Sequence, residues 1–146
     1  MSLDGIYDDN NPFALILRGK IPSIKLYEDA HTLAFLDIQP QAKGHSLVIS
    51  KWSKARNILE IEDDALAQVM ATVKKVAVAT RKAINPDGIH IAQFNGAPAG
   101  QTVFHLHVHI VPRWEGGPTG FGAHAQGQFA DTGDLAKLAD DIRAQF

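Results

Sequence analysis

Two periodicities divide the chain. From Glu62 to about Ile84, Leu66, Val69, Met70, Val73, Val76 and Ala77 recur at three- and four-residue spacing, which predicts a long helix with one buried face. Glu62, Asp63 and Asp64 at its start and Arg81 and Lys82 in its last turn complement the helix dipole, and Asn85-Pro86-Asp87-Gly88 ends it. Elsewhere the apolar positions fall into five short β-like runs, at 24–28, 32–36, 45–50, 89–94 and 101–111. Asp29-Ala30-His31 joins the first two as a hairpin, and Pro40 and Gly44 shape the loop before the third. Residues 95–100, with two glycines, read as a hairpin connection whose backbone amides can face a ligand.

The ends of the chain follow other rules. Asn10-Asn11-Pro12 ahead of Phe13, Leu15, Ile16 and Leu17 predicts a capped short helix, stopped by Gly19 and Pro22. Residues 134–146 predict a terminal helix with Leu135, Leu138, Ala139 and Ile142 on one side. Between 115 and 133 lie six of the twelve glycines and no Leu, Ile or Val, so this stretch reads as an irregular arm with little core to contribute. The whole predicts one α+β domain over 1–146: a mainly antiparallel five-stranded sheet, one long helix, and a short helix at either end.

The last β-like run carries the chemistry. In Phe104-His105-Leu106-His107-Val108-His109-Ile110, three of the seven histidines alternate with apolar residues, so a strand would set His105, His107 and His109 on one surface and the apolar side chains on the other. Imidazole changes charge near neutral pH, and a row of three suits catalysis or metal binding better than core filling. A three-histidine metal site on this strand alone is excluded, because the outer pair stands roughly 13 Å apart. A His-x-His pair with His45 or His90 as third ligand stays open. So does nucleophilic attack on phosphorus by a neutral imidazole, for which Asn95, Gly96, Gly100, Gln101 and Thr102 would supply amide and hydroxyl donors to the phosphate.

Composition narrows the partners. A formal charge of -2, from 14 basic and 16 acidic residues, argues against a nucleic-acid polymer but leaves room for one nucleotide in a pocket. With no cysteine, disulfides and thiolate-bound zinc are impossible. The N-terminal sequence has no signal-peptide pattern and no run approaches membrane-spanning length, so the expected location is the cytoplasm and no membrane partner is expected.

The row His105-Leu106-His107-Val108-His109-Ile110-Val111, with Asn95-Gly96 and Gly100-Gln101-Thr102-Val103 before it, resembles the signature of the histidine-triad (HIT) nucleotide hydrolases and transferases. Gly19-Lys20-Ile21-Pro22, Tyr27-Glu28-Asp29, the run from Ala34 to Pro40 and Gly44-His45-Ser46-Leu47-Val48-Ile49 extend the resemblance to the nucleotide-binding Hint branch, over roughly residues 12–114. The resemblance implies a HIT-like fold and a purine nucleotide, or a conjugate of one, as ligand. It also implies that His107 is the nucleophile, supported by His105, with His109 near the leaving group and His45 beside the same phosphate. Asp37 would bind the ribose hydroxyls; Phe13, Ile16, Phe35 and Ile38 would line the base pocket; and Asn95, Gln101 and Thr102 would hold the phosphate and position the histidines.

Many members carry zinc on a Cys-x-x-Cys and a later histidine; here those positions hold Asn11, Ala14 and Ser53, so no such zinc and no cofactor is expected. Ala97-Pro98-Ala99 and Pro112-Arg113 are closer to bacterial members and the fragile-histidine-triad branch, while the arm matches neither branch. The expected activity is cleavage of nucleoside 5′-phosphate conjugates, such as phosphoramidates and adenylates, through a nucleotidyl-histidine. The alternatives are a dinucleoside polyphosphate hydrolase and a nucleotide-binding regulatory module. Relatives pair through the long helix and the 89–94 strand, which implies a homodimer. His31, His90 and His124 are read as structural or surface residues.

Overall fold

The computed structural model describes residues 2–122 and 128–146. Its elements run α1 (Pro12–Leu17), β1 (Lys25–Glu28), β2 (Thr32–Leu36), β3 (Ser46–Ser50), α2 (Asp63–Ile84), β4 (Gly88–Ala92), β5 (His107–Arg113) and α3 (Thr132–Arg143). The five strands form one antiparallel sheet in the order β1-β2-β3-β5-β4, so the histidine-bearing strand lies inside the sheet between β3 and β4. This is the expected α+β architecture.

Period two along the strands sorts side chains between two faces. On one, Ala34, Leu36, Val48, Val108 and Ile110 pack with Val69, Val73 and Val76 of α2 and with Leu135, Leu138 and Ile142 of α3, forming the main core. On the other, Leu33, Phe35, Leu47 and Ile49 meet Phe13 of α1 in a smaller cluster. The β3–β5 register sets Leu47 opposite His109 and Ile49 opposite His107, so the histidines share the face that α1 covers.

The local chemistry explains the element ends. Asn11 caps α1 by accepting from the Phe13 and Ala14 amides, both at 3.0 Å, and Pro12 takes the first helical position. Asp29 shapes the β1–β2 turn by accepting from the His31 and Thr32 amides at 2.8 Å. Asn85 closes α2 in the left-handed conformation at φ 49°.

Three expectations need correction. The histidine strand starts at His107 instead of Gln101, because the Leu106 amide donates to the Ala55 carbonyl (3.0 Å) in the loop after β3 and so leaves the ladder. The connection it makes with β4 is correspondingly longer than six residues and contains a 3-10 turn at Ala97–Ala99. On α2 the buried face is turned toward Ala65, Thr72, Ala79 and Thr80, while Met70 is 42% exposed. Small residues let the helix approach the sheet, and Thr72 hydrogen-bonds Thr32 of β2 at 2.6 Å. Among the described residues no helix is long and apolar enough to cross a membrane. His124, and residues 123–127 of the predicted arm, lie outside the described residues.

Candidate active site

His107 and His109, two residues apart on β5, project from the same side, and their ring centroids are 5.0 Å apart. His105, just ahead of the strand, stays on that side: its ring packs against Phe13 of α1, centroids 6.2 Å apart, as does the His107 ring at 4.9 Å. His45, immediately before β3, reaches His109 across the β3–β5 pair. All four rings are buried.

Hydrogen-bond partners fix which nitrogen carries each proton. A carbonyl oxygen only accepts, so the His105 carbonyl 2.7 Å from His107 Nδ1 requires the proton there, and in the neutral ring the His107 lone pair then lies on Nε2. The Gln41 amide donates to His45 Nδ1 at 3.0 Å, so His45 carries its proton on Nε2 and donates to His109 Nδ1 at 3.0 Å. His109 therefore holds its own proton on Nε2. One ring of the adjacent pair offers a lone pair, and its neighbour offers a proton.

His105 differs from both. Its Nε2 donates to the Ser50 carbonyl at 3.2 Å and its Nδ1 accepts from the Tyr7 hydroxyl at 2.7 Å. Burial pushes its pKa down to about 4, against the opposing pull of the Ser50 carbonyl, so the ring is neutral through the physiological range. Burial likewise raises the Tyr7 phenol, keeping it a proton donor.

A cavity of about 300 Å³ opens beside this cluster, lined by Phe13, Ile16, Phe35 and Ile38 together with Asp37 and Val103. The four residues expected to wall a base pocket thus share one cavity; Ile38, at 47% exposed, stands at its rim. Asp37 is buried, one carboxylate oxygen accepting from the Gln39 amide at 2.8 Å and the other 3.6 Å from His45 Nε2.

The residues expected at the phosphate have a different immediate neighbourhood. Asn95 accepts from the Ile58 amide at 2.9 Å and from Gln93 at 2.8 Å. Gln101, fully buried, accepts from the Gly96 amide and donates to the Arg56 and Val103 carbonyls, bracing the loop that precedes the histidines. Gly100 turns that loop at φ 101°, and Thr102 is exposed.

Asp37, His45 and His109 bring three ligand atoms within 4.8 Å of one another and are the group of described residues able to hold a metal ion. This set replaces the His-x-His pair considered from the sequence, and His90 lies outside it, accepting from Arg113 Nε at 3.2 Å. The positions where relatives carry zinc do not fit that ion: Asn11 caps α1, Ala14 has no donor, and the Ser53 hydroxyl donates to Glu62 at 2.6 Å.

Sequence reasoning missed Tyr7, Gln41, Phe94 and Phe121. Phe94 and Phe121 pack against the His109 ring with centroids 4.9 Å and 5.7 Å away.

A protein-family model described as the HIT domain matches residues 18–116. Protein hit of Bacillus subtilis is 47% identical over 115 residues, spanning 79% of this chain and 78% of that one. An adenosine 5′-monophosphoramidase of Schizosaccharomyces pombe is 46% identical over 101 residues, spanning 69% and 72%. Among solved structures, a HIT-like protein involved in cell-cycle regulation from Bartonella henselae, with an unknown ligand, superimposes with a TM-score of 0.88 at 44% identity, over 97% of this chain and 100% of that one.

Proposed function

The chain belongs to the HIT domain family, and from that premise we propose that it hydrolyses nucleoside 5′-phosphoramidates and related conjugates through a nucleotidyl-histidine intermediate. The observation that carries the proposal is the hydrogen bonding of the adjacent pair at their Nδ1 atoms, which for neutral rings sets a lone pair on His107 Nε2 beside a proton on His109 Nε2. His107 Nε2 attacks the α-phosphorus, a P–N bond forms to the ring, and the bond from phosphorus to the leaving amine breaks. The amine takes the His109 Nε2 proton as it departs. Water then attacks the phosphorus and gives a proton back to His109 Nε2, the P–N bond to His107 breaks, and a nucleoside 5′-monophosphate is released with both imidazoles restored.

The roles of the surrounding residues follow. Phe13, Ile16, Phe35 and Ile38 offer flat apolar walls to a purine, and the Asp37 carboxylate can accept from vicinal ribose hydroxyls. Asn95, Gly100, Gln101 and Thr102 shape the loop that presents donors to the phosphate. His105 stays neutral and positions His107 through its carbonyl. The phosphoramidate class is favoured because the Schizosaccharomyces relative is named for that activity. We also propose a homodimer through β4, a sheet edge, and the outer face of α2, which leave Ile91, Met70 and Val78 exposed.

The test is turnover of an adenosine 5′-phosphoramidate by purified protein. His107→Asn should lower kcat by about ten-thousand-fold while AMP binding, measured by calorimetry, persists. Undiminished turnover by the variant refutes the assignment.

A further inference from the structure

His105 lies just outside the sheet. The register between β3 and β5 ends with Ile49 opposite His107, and the next amide back, that of Leu106, donates to the Ala55 carbonyl in place of a ladder bond. Yet the His105 carbonyl, 2.7 Å from His107 Nδ1, is the acceptor that keeps a proton on that nitrogen. A free neutral imidazole prefers its proton on the other nitrogen. The form of His107 with its lone pair on Nε2 therefore depends on how the His105 carbonyl is aimed.

The His105 ring supplies the aim. It is anchored at both nitrogens, Nε2 donating to the Ser50 carbonyl at 3.2 Å and Nδ1 accepting from the Tyr7 hydroxyl at 2.7 Å. Tyr7 is itself held on both sides. Ahead of it, Arg56 and Asn57 donate to the Ser2 and Leu3 carbonyls at 3.3 Å and 2.9 Å. Behind it, the Asn11 side chain donates to the Asp8 carbonyl at 2.8 Å, and Lys54 pairs with Asp9 at 2.8 Å. Tyr7 also stands apart from the proposed nucleoside. With His105, Ala14 and Leu17 it lines a cavity of about 340 Å³ on one flank of α1, whereas Phe13 and Ile16 on the other flank wall the base cavity.

We infer that Tyr7 is a positioning residue for the nucleophile: its hydroxyl fixes the His105 ring and, through the His105 carbonyl, holds His107 in the tautomer that attacks phosphorus. The inference rests on the hydrolase reading above and deepens it. Without the hydroxyl, a buried ring nitrogen loses its donor, and residue 105 shifts to find another, taking its carbonyl off His107. The base cavity is untouched, so the effect falls on kcat and not on KM.

The experiment is Tyr7→Phe, which removes one oxygen. With adenosine 5′-phosphoramidate at pH 7, kcat should fall about 5- to 10-fold, the size of one buried hydrogen bond, while KM and the calorimetric Kd for AMP stay within about twofold of wild type. Proton–nitrogen correlation NMR of the histidine rings should show His107 protonated on Nδ1 in the wild type and a substantial Nε2-protonated fraction in Tyr7→Phe. Tyr7→Leu, which gives up the ring as well, should lose at least as much kcat. Wild-type kcat in either variant, a loss carried by KM, or a loss of kcat with the His107 tautomer unchanged overturns the inference. A part in folding alone would lower the urea midpoint and leave both kcat per folded molecule and the tautomer as in wild type, which overturns it too. Failure of the wild type to exceed His107→Asn in turnover overturns the hydrolase reading instead, and the tautomer comparison, which needs no turnover, still decides whether Tyr7 sets the state of His107.

Discussion

Acidification should destabilise this protein through His105 in a way that can be isolated. The ring is buried, its Nδ1 accepts from Tyr7 and its Nε2 donates to Ser50, so a second ring proton would displace a donor in a site with little water. Its pKa is about 4 in the folded chain, against an ordinary value of 6.5. Between those values the unfolded chain binds the proton and the folded chain does not. The full contribution is therefore present above pH 6.5 and is lost as pH falls toward 4. At about 1.4 kcal/mol for each pH unit crossed, the loss is about 2 kcal/mol at pH 5 and about 3 kcal/mol at pH 4.

Other groups titrate over the same range, so the measurement is a difference. Urea unfolding of wild type and His105→Gln at pH 7 and pH 5 gives two stability gaps, and glutamine has no proton to gain. The variant should be the less stable at pH 7, with the gap about 2 kcal/mol smaller at pH 5. A gap that is the same at both pH values refutes the claim that this ring is held neutral by burial.

Three further perturbations test the frame around the site. Gly44, at φ 87° directly before His45, faces Ile84 and Pro112; Gly44→Ala should cost about 1–2 kcal/mol in urea unfolding and lower kcat, and a wild-type midpoint would refute the need for the left-handed turn. Asn11→Ala removes the cap of the helix carrying Phe13; it should cost about 1 kcal/mol and raise the Kd for AMP, so calorimetry giving an unchanged Kd would separate the cap from the pocket. Asp29 works against burial, which raises its pKa, yet the His31 and Thr32 amides and the Tyr27 and Thr32 hydroxyls bring the carboxyl down to about 2 from 3.8. Its contribution is complete above pH 3.8 and lost as pH falls through 2; because the group is largely solvated, Asp29→Ala should cost only about 1 kcal/mol at pH 7, and less near pH 2 in matched unfolding curves.

How far the fold could be read from the sequence depended on the kind of signal. Alternation around His107 and the three- and four-residue spacing from Val69 to Val76 encode burial directly, so the sheet, the long helix and the shared face of the histidines were all legible. The start of β5 was not, because the Leu106 amide leaves the ladder for Ala55, some fifty residues earlier, and no local pattern announces such a bond. Gln41 was invisible for a related reason: its effect on His45 is exerted by a main-chain amide, which every residue but proline possesses. Tyr7 and Phe121 sit outside any periodic element and reach the histidines only through the tertiary fold, one of them across 98 residues. Gln101 was legible as important, and the structure shows its amide bracing the approach to the triad.

The unequal depth of the sheet's two sides has a consequence for motion. Two helices of 22 and 12 residues shield one side, whereas the other is roofed mainly by six residues from Pro12 to Leu17, too short a helix to persist without its contacts. That roof can lift while the rest of the domain stays folded, so ligand entry requires only a local opening. Amide exchange should report it, with protons from Phe13 to Leu17 turning over well before those of β5 and slowing when AMP fills the space beneath them.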